Sequence, residues 1–379
     1  MEVIYEPKAV NDTISKRSLQ IMPYPKKLLI KSAVTIVIAF FIFLFGFFPA
    51  LVLSFYSNGL YPIISIVLRW ISSLFPFALG DILYSLLIFF AVLQLFLFLK
   101  KRKSLTKAHR LIVPLKLFNL ILILYISFKL LWGLNYARPS IAQQLRISNQ
   151  KYDVKELVLL GNYFIDKLNK LQPKLSPNLS YNIQQLKEKA VIGYQNLAQT
   201  NPFYNYKVPA VKPVINSWII SKIGIEGYYN PLTAEANVNM KLPAWILPFV
   251  TCHEIAHQIG VAREDEANLV AYLVGINSKD VNFQYSVNYN MLRYILFEIR
   301  FKSPEDYLVM RDKIDPMVLA NFKAENEFWR KYNGQMSSYM GIAFDKFLKL
   351  NNQKRGIKSY QNIVVWLWNM HKKEFAVAN

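Results

Sequence analysis

One stretch of the chain, residues 251–268, holds the residues best suited to chemistry. It contains the pattern His-Glu-x-x-His, with His253 and His257 four positions apart and Glu254 beside the first histidine. On a helix, residues four apart lie on the same face, so both imidazoles can bind one metal ion. A carboxylate next to the first ligand is placed to take a proton from water at that ion. The pattern predicts one Zn²⁺ ion as cofactor, with Glu254 as the general base.

A catalytic zinc has three protein ligands, and the residues after His257 restrict the third. In one large class of zinc hydrolases a third histidine or aspartate follows a glycine. Here Gly260 is present, but the ligand position holds Arg263, which stays protonated and cannot bind a metal. The other large class takes a glutamate from the next helix. Glu264 is the predicted third ligand and Glu266 the alternative.

The face of the second helix on which each glutamate lies favours Glu264 over Glu266 as the third ligand. Glu264 and Asn268 are four positions apart, so they share one face of a helix. Asn268 can then hydrogen-bond the ring nitrogen of a ligand histidine that does not bind the metal, as partners of metal-binding histidines commonly do. This geometry requires a sharp turn at Gly260, between a metal helix predicted over residues 247–259 and a second helix over 263–276.

Two further strands are expected before the metal helix. Small or apolar residues alternate with polar ones at residues 234–238. This alternation predicts an edge strand that could hold an extended peptide substrate. An ordinary hairpin strand is the alternative. The residues of this candidate substrate strand are Ala234, Glu235, Ala236, Asn237 and Val238. Residues 215–225 mix β-branched and polar side chains and are also expected to form a strand.

Peptide hydrolysis needs a hydrogen-bond donor to the developing oxyanion. The sequence offers several aromatic or basic candidates and does not choose among them. They are Tyr228, Tyr229, Tyr285, Tyr289, Tyr294 and Arg293.

The N-terminal part of the chain is apolar enough to lie in a membrane. We predict three spans, at about residues 31–53, 82–99 and 111–134. Residues 60–79, which contain Arg69, are assigned to an interfacial or re-entrant segment. The chain then divides into a membrane anchor, residues 1–138, and a catalytic domain, residues 139–379.

Basic residues predict the orientation of the anchor, because cytoplasmic loops are rich in Lys and Arg. They cluster before the first span and between the second and third: Lys8, Lys16, Arg17, Lys26, Lys27 and Lys31, then Lys100, Lys101, Arg102, Lys103, Lys107 and Arg110. This places the N-terminus in the cytoplasm and the catalytic domain outside the plasma membrane.

Composition restricts the partners. The 379 residues carry a net charge of +21, which favours anionic lipid headgroups. The sequence contains no nucleic-acid-binding motif, so the expected partners are membrane lipid and a peptide or protein substrate. Cys252 is the only cysteine, which excludes an intrachain disulfide, and we expect it to be buried.

Five segments resemble a family of bacterial membrane proteins known as domain of unknown function 3810. They are FPFALGDILY (75–84), LLWGLNYARPS (130–140), GYYNPLTAEANVN (227–239), HEIAHQIGVAREDEAN (253–268) and GIKSYQNIVVWLW (356–368). The resemblance covers most of the chain and implies a membrane-anchored zinc metallopeptidase. The expected fold is mainly α, with three transmembrane helices followed by a zincin-like α+β domain with a small sheet.

The favoured function is therefore hydrolysis of peptide bonds at the outer face of the membrane. A zinc amidase acting on cell-envelope substrates and a catalytically silent scaffold or binding protein are the alternatives. A transporter is disfavoured, because three spans with few polar groups do not make a conduit. An edge strand beside the metal would favour the peptidase, and a broad pocket would favour the amidase. Absence of a metal, or a blocked fourth coordination position, would favour the scaffold.

Overall fold

The structure is a computed structural model that describes residues 26–101, 107–176, 178–356 and 362–376. It is mainly helical, with one three-stranded sheet. The helices are α1 (Lys26–Phe45), α2 (Pro49–Leu51), α3 (Tyr61–Ser73), α4 (Leu79–Lys101), α5 (Lys107–Leu131), α6 (Ile141–Gln144), α7 (Val154–Leu171), α8 (Ile183–Ala198), α9 (Ser217–Lys222), α10 (Leu247–Gln258), α11 (Glu264–Ile276), α12 (Val281–Lys302), α13 (Pro304–Arg311), α14 (Pro316–Tyr332), α15 (Gln335–Leu350) and α16 (Asn362–Ala376). The strands are β1 (Val211–Pro213), β2 (Gly227–Asn230) and β3 (Glu235–Val238).

Four helices in the described residues, rather than three, are long and apolar enough to cross a membrane. They are Lys27–Phe45, Pro49–Ser73, Leu79–Lys100 and Ile112–Leu131. The additional one, Pro49–Ser73, is called the second apolar helix below. It joins α2 and α3 through a π-helical stretch, Val52–Leu60, and covers most of the segment assigned to an interfacial position.

The apparent helix breakers of this segment do not break the helix. Pro49 and Pro62 stand in the first turns of α2 and α3, where a missing N–H is tolerated. The Asn58–Gly59 pair lies inside the π-helical stretch. Position within the helix therefore outweighs the residue types.

The two faces of the second apolar helix are the reverse of those on a helix in water. Tyr61, Ser65 and Arg69, at helical spacing, are buried against the rest of the protein. The large apolar side chains on the other sides of the helix are exposed, among them Phe55, Ile63, Val67, Trp70 and Leu74. A polar buried face and an apolar exposed face suit a helix that contacts lipid outside and protein inside.

The basic residues used to predict orientation lie partly outside the described residues. Lys8, Lys16 and Arg17 precede the described part of the chain, and Arg102 and Lys103 fall in the gap between α4 and α5. The cytoplasmic position of the N-terminus therefore stays a prediction.

The core of the protein surrounds α10. Every residue from Leu247 to Gln258 is buried, and α10 packs against α8, α11, α12, β2 and β3. Cys252 is fully buried among them, as expected. A second set of contacts joins α12 to α7, and α16 closes the core by packing on α7 and α11. The metal motif thus lies on the most enclosed helix of the fold.

The prediction of an edge strand at residues 234–238 is wrong. The sheet order is β1-β3-β2, with β3 antiparallel to β2 and parallel to β1, so β3 is central and has no free edge. All four of its residues are buried. Ala234 and Glu235 to Val238 therefore cannot hold a substrate by strand addition.

Glu235 of β3 is buried because its carboxylate has partners, which the alternating pattern does not reveal. Glu235 accepts hydrogen bonds from the backbone N–H groups of Leu79 (2.9 Å) and Gly80 (2.7 Å), at the start of α4. An anion is favoured at a helix N-terminus, where N–H groups lack partners. Glu235 thus attaches a candidate membrane span to the sheet.

The strand expected at residues 215–225 is also wrong, because residues 217–222 form the short helix α9. The side chain of Asn216 accepts a hydrogen bond from the N–H of Ile219 (3.1 Å) and so caps the helix. The capping residue outweighs the β-branched content of this segment.

Candidate metal centre

A tight turn brings α11 back against the end of α10. Gly260 has φ +91°, a conformation that costs glycine little, and the Val261 N–H donates to the Ala256 carbonyl (3.0 Å), as in a Schellman ending. Only residues 261–263 then separate the turn from α11, which begins at Glu264. This is the sharp turn that the short spacing between His257 and Glu264 requires.

The turn brings His253, His257 and Glu264 together, and these three residues are called the metal group below. The two Nε2 atoms are 3.1 Å apart, and Oε2 of Glu264 lies 3.1 Å from Nε2 of His253 and 3.6 Å from Nε2 of His257. In a tetrahedral zinc site with ligand distances of about 2.0–2.1 Å, neighbouring ligand atoms are about 3.3 Å apart. The three atoms have the separations of a zinc ligand set, and this buried group could bind a metal ion.

The partners of the outer ring nitrogens define which atoms face the metal. Nδ1 of His253 lies 2.8 Å from Oδ1 of Asn268, and Nδ1 of His257 lies 2.6 Å from the carbonyl oxygen of Val261. Both neighbours are acceptors, so each Nδ1 carries a proton, and a ring that holds only this proton turns an Nε2 lone pair inward. Two lone pairs and a carboxylate then converge, an arrangement that repels itself unless a cation or a proton lies between them.

The pKa values of the buried ligands reflect the same convergence. Burial alone would lower the pKa of His257, but the Glu264 carboxylate opposes it and raises that pKa to about 9. Burial would raise the pKa of Glu264, yet the two histidines hold it well below its usual range. Glu264 is therefore ionised, as a metal ligand must be.

Glu254 lies beside the ligands without joining them. Its side chain is 3% exposed, and Oε2 has no hydrogen-bond partner within the described residues. Burial raises the pKa of this carboxyl to about 7, although His253 and His257 act in the opposite direction. An unpaired buried carboxyl with a pKa near neutrality is suited to accept and return a proton.

The remaining acidic residues of the motif point elsewhere. Glu266, the alternative third ligand, has Oε1 3.1 Å from a guanidinium nitrogen of Arg263 and is not part of the metal group. Asp265 accepts a hydrogen bond from the side chain of Asn362 (2.7 Å). Asn268 takes the position expected for it, between His253 and the hydroxyl of Tyr294.

Residues from the N-terminal helices hold the end of the metal helix. The indole of Trp132 donates to the His257 carbonyl (3.1 Å), and the hydroxyls of Tyr61 and Ser65 donate to the Gln258 carbonyl (2.9 and 2.8 Å). The fully buried guanidinium of Arg138 donates to the Gly260 carbonyl (2.9 Å). The last carbonyls of a helix lack their usual partner inside it. These donors pair the carbonyls of Gln258 and Gly260, and they add to the bond that the His257 carbonyl accepts from the Gly260 N–H (3.1 Å).

Sequence reasoning did not identify these four supporting residues. Trp132 and Arg138 lie in LLWGLNYARPS, a segment noted for its resemblance to relatives and, in its first residues, as the end of the third predicted span. A buried tryptophan and arginine just after a membrane helix are a usable signal, since both carry donors that require acceptors. Nothing local links Tyr61 and Ser65 to α10.

The metal group opens into a cleft of about 1810 Å³. Among the described residues the sheet ends at β2, and Gly227, Tyr228 and Tyr229 of this edge strand line the cleft with the ligands. Gly227 passes so close to Glu254 that a Cβ atom there would lie 2.8 Å from Oε1. The edge strand at the candidate site is thus β2 rather than β3.

The candidates for the oxyanion donor divide into two groups. Tyr228, Tyr229, Arg293 and Tyr294 line the cleft. Tyr285 and Tyr289 are fully buried and bond to Asn321 and Glu325, away from the metal group. The first four remain candidates and the last two do not.

Comparison with known proteins gives a family and no established activity. Neither the curated proteins nor the solved structures include a match to this chain. The model of a family described as "Protein of unknown function (DUF3810)" matches residues 56–368, which include most of the second apolar helix, the sheet, the metal group and most of the described C-terminal residues. The chain belongs to the DUF3810 family.

Proposed function

We propose that this protein is a membrane-anchored zinc metallopeptidase. One observation carries the proposal: two inward Nε2 lone pairs and the ionised Glu264 meet at zinc-ligand separations, with the unpaired Glu254 beside them. A zinc ion supplies Lewis acidity, which activates water and polarises a scissile carbonyl. His253, His257 and Glu264 would hold the ion, and Asn268 would fix the orientation of His253.

The chain's own residues account for proton transfer. Glu254 takes the proton of the attacking water and returns it to the leaving amine. Its pKa, raised to about 7 by burial, suits both halves of this exchange. Tyr228, Tyr229, Tyr294 and Arg293 are the available donors for stabilising the oxyanion.

The edge strand β2 favours a peptide as substrate. Its outer side faces no other described strand, and its residues line the cleft next to Glu254. An extended peptide added to β2 would form main-chain hydrogen bonds that tolerate different side chains.

The breadth of the cleft favours the second candidate function, a zinc amidase acting on cell-envelope substrates. A volume of about 1810 Å³ accommodates more than an extended backbone, as a sugar-bearing substrate would require. The two functions share the metal group and Glu254, and differ in the molecule that is cleaved.

The first experiment measures metal content by elemental analysis and hydrolysis of a mixed peptide library by mass spectrometry. The wild type should contain about one zinc per chain, and His253→Ala/His257→Ala should lose it. Glu254→Gln should keep the zinc and lose hydrolysis. Wild-type protein without zinc after supplementation would rule out both hydrolytic functions, whereas zinc without cleavage of any peptide, free or membrane-anchored, would favour the amidase.

We propose that three of the four apolar helices span the membrane, and that the second apolar helix lies along its surface. The C-terminal end of this helix is beside the catalytic domain, because Arg69 donates to the Lys207 carbonyl and Lys212 donates to the Phe75 carbonyl just after the helix. Its N-terminal half lies beside the end of α5 that reaches the domain: the Tyr56 hydroxyl donates to the Leu130 carbonyl (3.0 Å), and the chain just before the helix approaches Ala137 at Gly46. A spanning helix would have its ends on opposite sides.

The other three apolar helices each have one end at the domain. α1 and α5 contact through Thr35 and Asn119 (3.0 Å), and the ends that reach the domain are their C-terminal ends. α4 reaches it by its N-terminal end, through Glu235. Three crossings place the domain opposite the N-terminus. With the predicted cytoplasmic N-terminus, the domain is outside the plasma membrane.

A further inference from the structure

The cleft that contains the metal group is walled in part by the candidate membrane spans. Tyr84 of α4 and Phe128 of α5 line it together with His253 and His257. Both aromatic residues belong to helices that are long and apolar enough to cross a membrane, and each lies within two turns of the end nearest the domain. The cleft therefore opens where these helices leave the bilayer.

The facing wall at this opening is α15. Its residues Met340, Phe344 and Phe347 line the cleft, and the ring of Phe347 lies 5.9 Å from that of Phe128. The Lys129 ammonium donates to the Asn351 side chain (3.0 Å), which fixes the end of α15 beside the end of α5. α15 thus stands at the level of the membrane boundary.

The surface around this opening is apolar and exposed. Phe297 and Phe301 of α12 line the cleft with 54% and 72% of their surface accessible, and α15 exposes Leu350 at the end that is held beside α5. Leaving such side chains in water costs about 25 cal/mol per Å² of apolar surface. Exposed apolar side chains on a cleft that is walled by membrane helices fit lipid or a membrane-anchored chain rather than bulk water.

The metal group is close to the end of a span. Trp132, the first residue after α5, donates to the carbonyl of the ligand His257. Elements in such direct contact have axes roughly 10 Å apart. An extended polypeptide covers that distance in about three residues, so the first residues of a chain leaving the bilayer can reach the metal group.

We propose that the substrate is the membrane-proximal segment of a membrane-anchored polypeptide, which enters between α15 and the spans α4 and α5. This inference rests on the proposed zinc peptidase function and adds the class of substrate. The anchor of the substrate lies in the bilayer beside α4 and α5, and its emerging segment lies along β2. Cleavage occurs close to the membrane.

The test uses the full-length protein in lipid nanodiscs with a single-span polypeptide carrying a flexible, mixed-sequence segment. Cleavage positions are mapped by mass spectrometry, and the same segment without its span is the comparison. We expect cuts within about the first ten residues beyond the span and at least roughly tenfold less cleavage of the free segment. Cuts spread evenly along the segment, or equal cleavage of the free form, would overturn the proposal.

A pair of variants on α15 separates entry at the opening from mere tethering. Phe344→Asp places a charge on the cleft wall, whereas Tyr339→Asp places one on an exposed part of the same helix that does not line the cleft. We expect Phe344→Asp to reduce cleavage of the anchored polypeptide about tenfold and Tyr339→Asp to leave it unchanged, with zinc content equal in both. Equal effects of the two variants would refute entry at this opening.

The outcomes also separate this proposal from the function on which it rests. Zinc-dependent cleavage of free and anchored segments at equal rates, lost in Glu254→Gln, would support the peptidase function and refute a membrane-anchored polypeptide as its substrate. Absence of zinc and of all cleavage would remove both.

Discussion

The close approach of Gly227 to Glu254 makes Gly227→Ala a sharp test of the proposed general base. The added Cβ would lie 2.8 Å from Oε1 of Glu254, and also 2.9 Å from the Asn237 carbonyl oxygen and from Cγ1 of Val250. Ordinary contacts begin at 3.4 Å, so the carboxylate or the strand must move by about 0.6 Å. Either movement changes the distance between Glu254 and β2.

The magnitude follows from this displacement. A misplacement of 1 Å in a reacting group can cost about 100-fold in rate, so roughly tenfold is expected for 0.6 Å. Overpacking should also lower the free energy of unfolding by about 1–3 kcal/mol. The three atoms nearest to the added Cβ belong to Glu254, Asn237 and Val250 and not to a metal ligand, so zinc content should stay at the wild-type value.

The assay measures kcat/KM on the anchored polypeptide, zinc by elemental analysis, and thermal unfolding. Gly193→Ala is the matched control, because its Cβ would lie 2.8 Å from Cγ1 of Val274, away from the metal group. The control should lose stability without losing kcat/KM. Unchanged kcat/KM in Gly227→Ala would refute a catalytic role that depends on the position of Glu254 beside β2.

Three further predictions concern the support of the site, pH and topology. Asn268→Ala should weaken zinc binding roughly 10–100-fold in a chelator competition, whereas Asn268→Asp, which keeps the acceptor for His253, should lose less. Burial lowers the pKa of His371 below its unfolded value of about 6.5, despite the nearby Glu374, so wild-type stability should fall as pH drops below about 6.5. Chemical unfolding at several pH values should show a smaller fall in His371→Gln, and an equal fall would contradict this cause. For topology, Phe48→Cys and Ser73→Cys, at the two ends of the second apolar helix, should both react with an impermeant thiol reagent applied from the side of the domain; reaction from opposite sides would mean that this helix spans the membrane.

The metal motif could be predicted because its geometry is local. A four-residue spacing on a helix places two histidines together, and one glycine turn returns Glu264 to them. These relations involve residues close in sequence, so neither depends on the remainder of the fold. The helices over residues 247–258 and 264–276 accordingly lie within a residue of their predicted bounds.

The errors involve contacts between distant residues. The sequence predicts an exposed position for the charged residue Glu235. It is buried instead against the start of α4, where Leu79 lies 156 positions earlier in the chain. The central position of β3 likewise depends on β1, which no local pattern joins to it. For the second apolar helix, burial of Arg69 against the Lys207 carbonyl decides which face contacts protein. Such partners are set by the whole fold.

The donors that satisfy the end of α10 have a consequence for biogenesis. Tyr61, Ser65 and Trp132 come from the part of the chain that is synthesised first, whereas the metal ligands follow more than a hundred residues later. A fragment beginning after Ala137 would lack these three side chains, which donate hydrogen bonds to the end of α10. It would also lose the contact between the Trp132 indole and the His257 ring. We therefore expect the end of α10 beside the metal ligands to take its final form only after the N-terminal helices are in place.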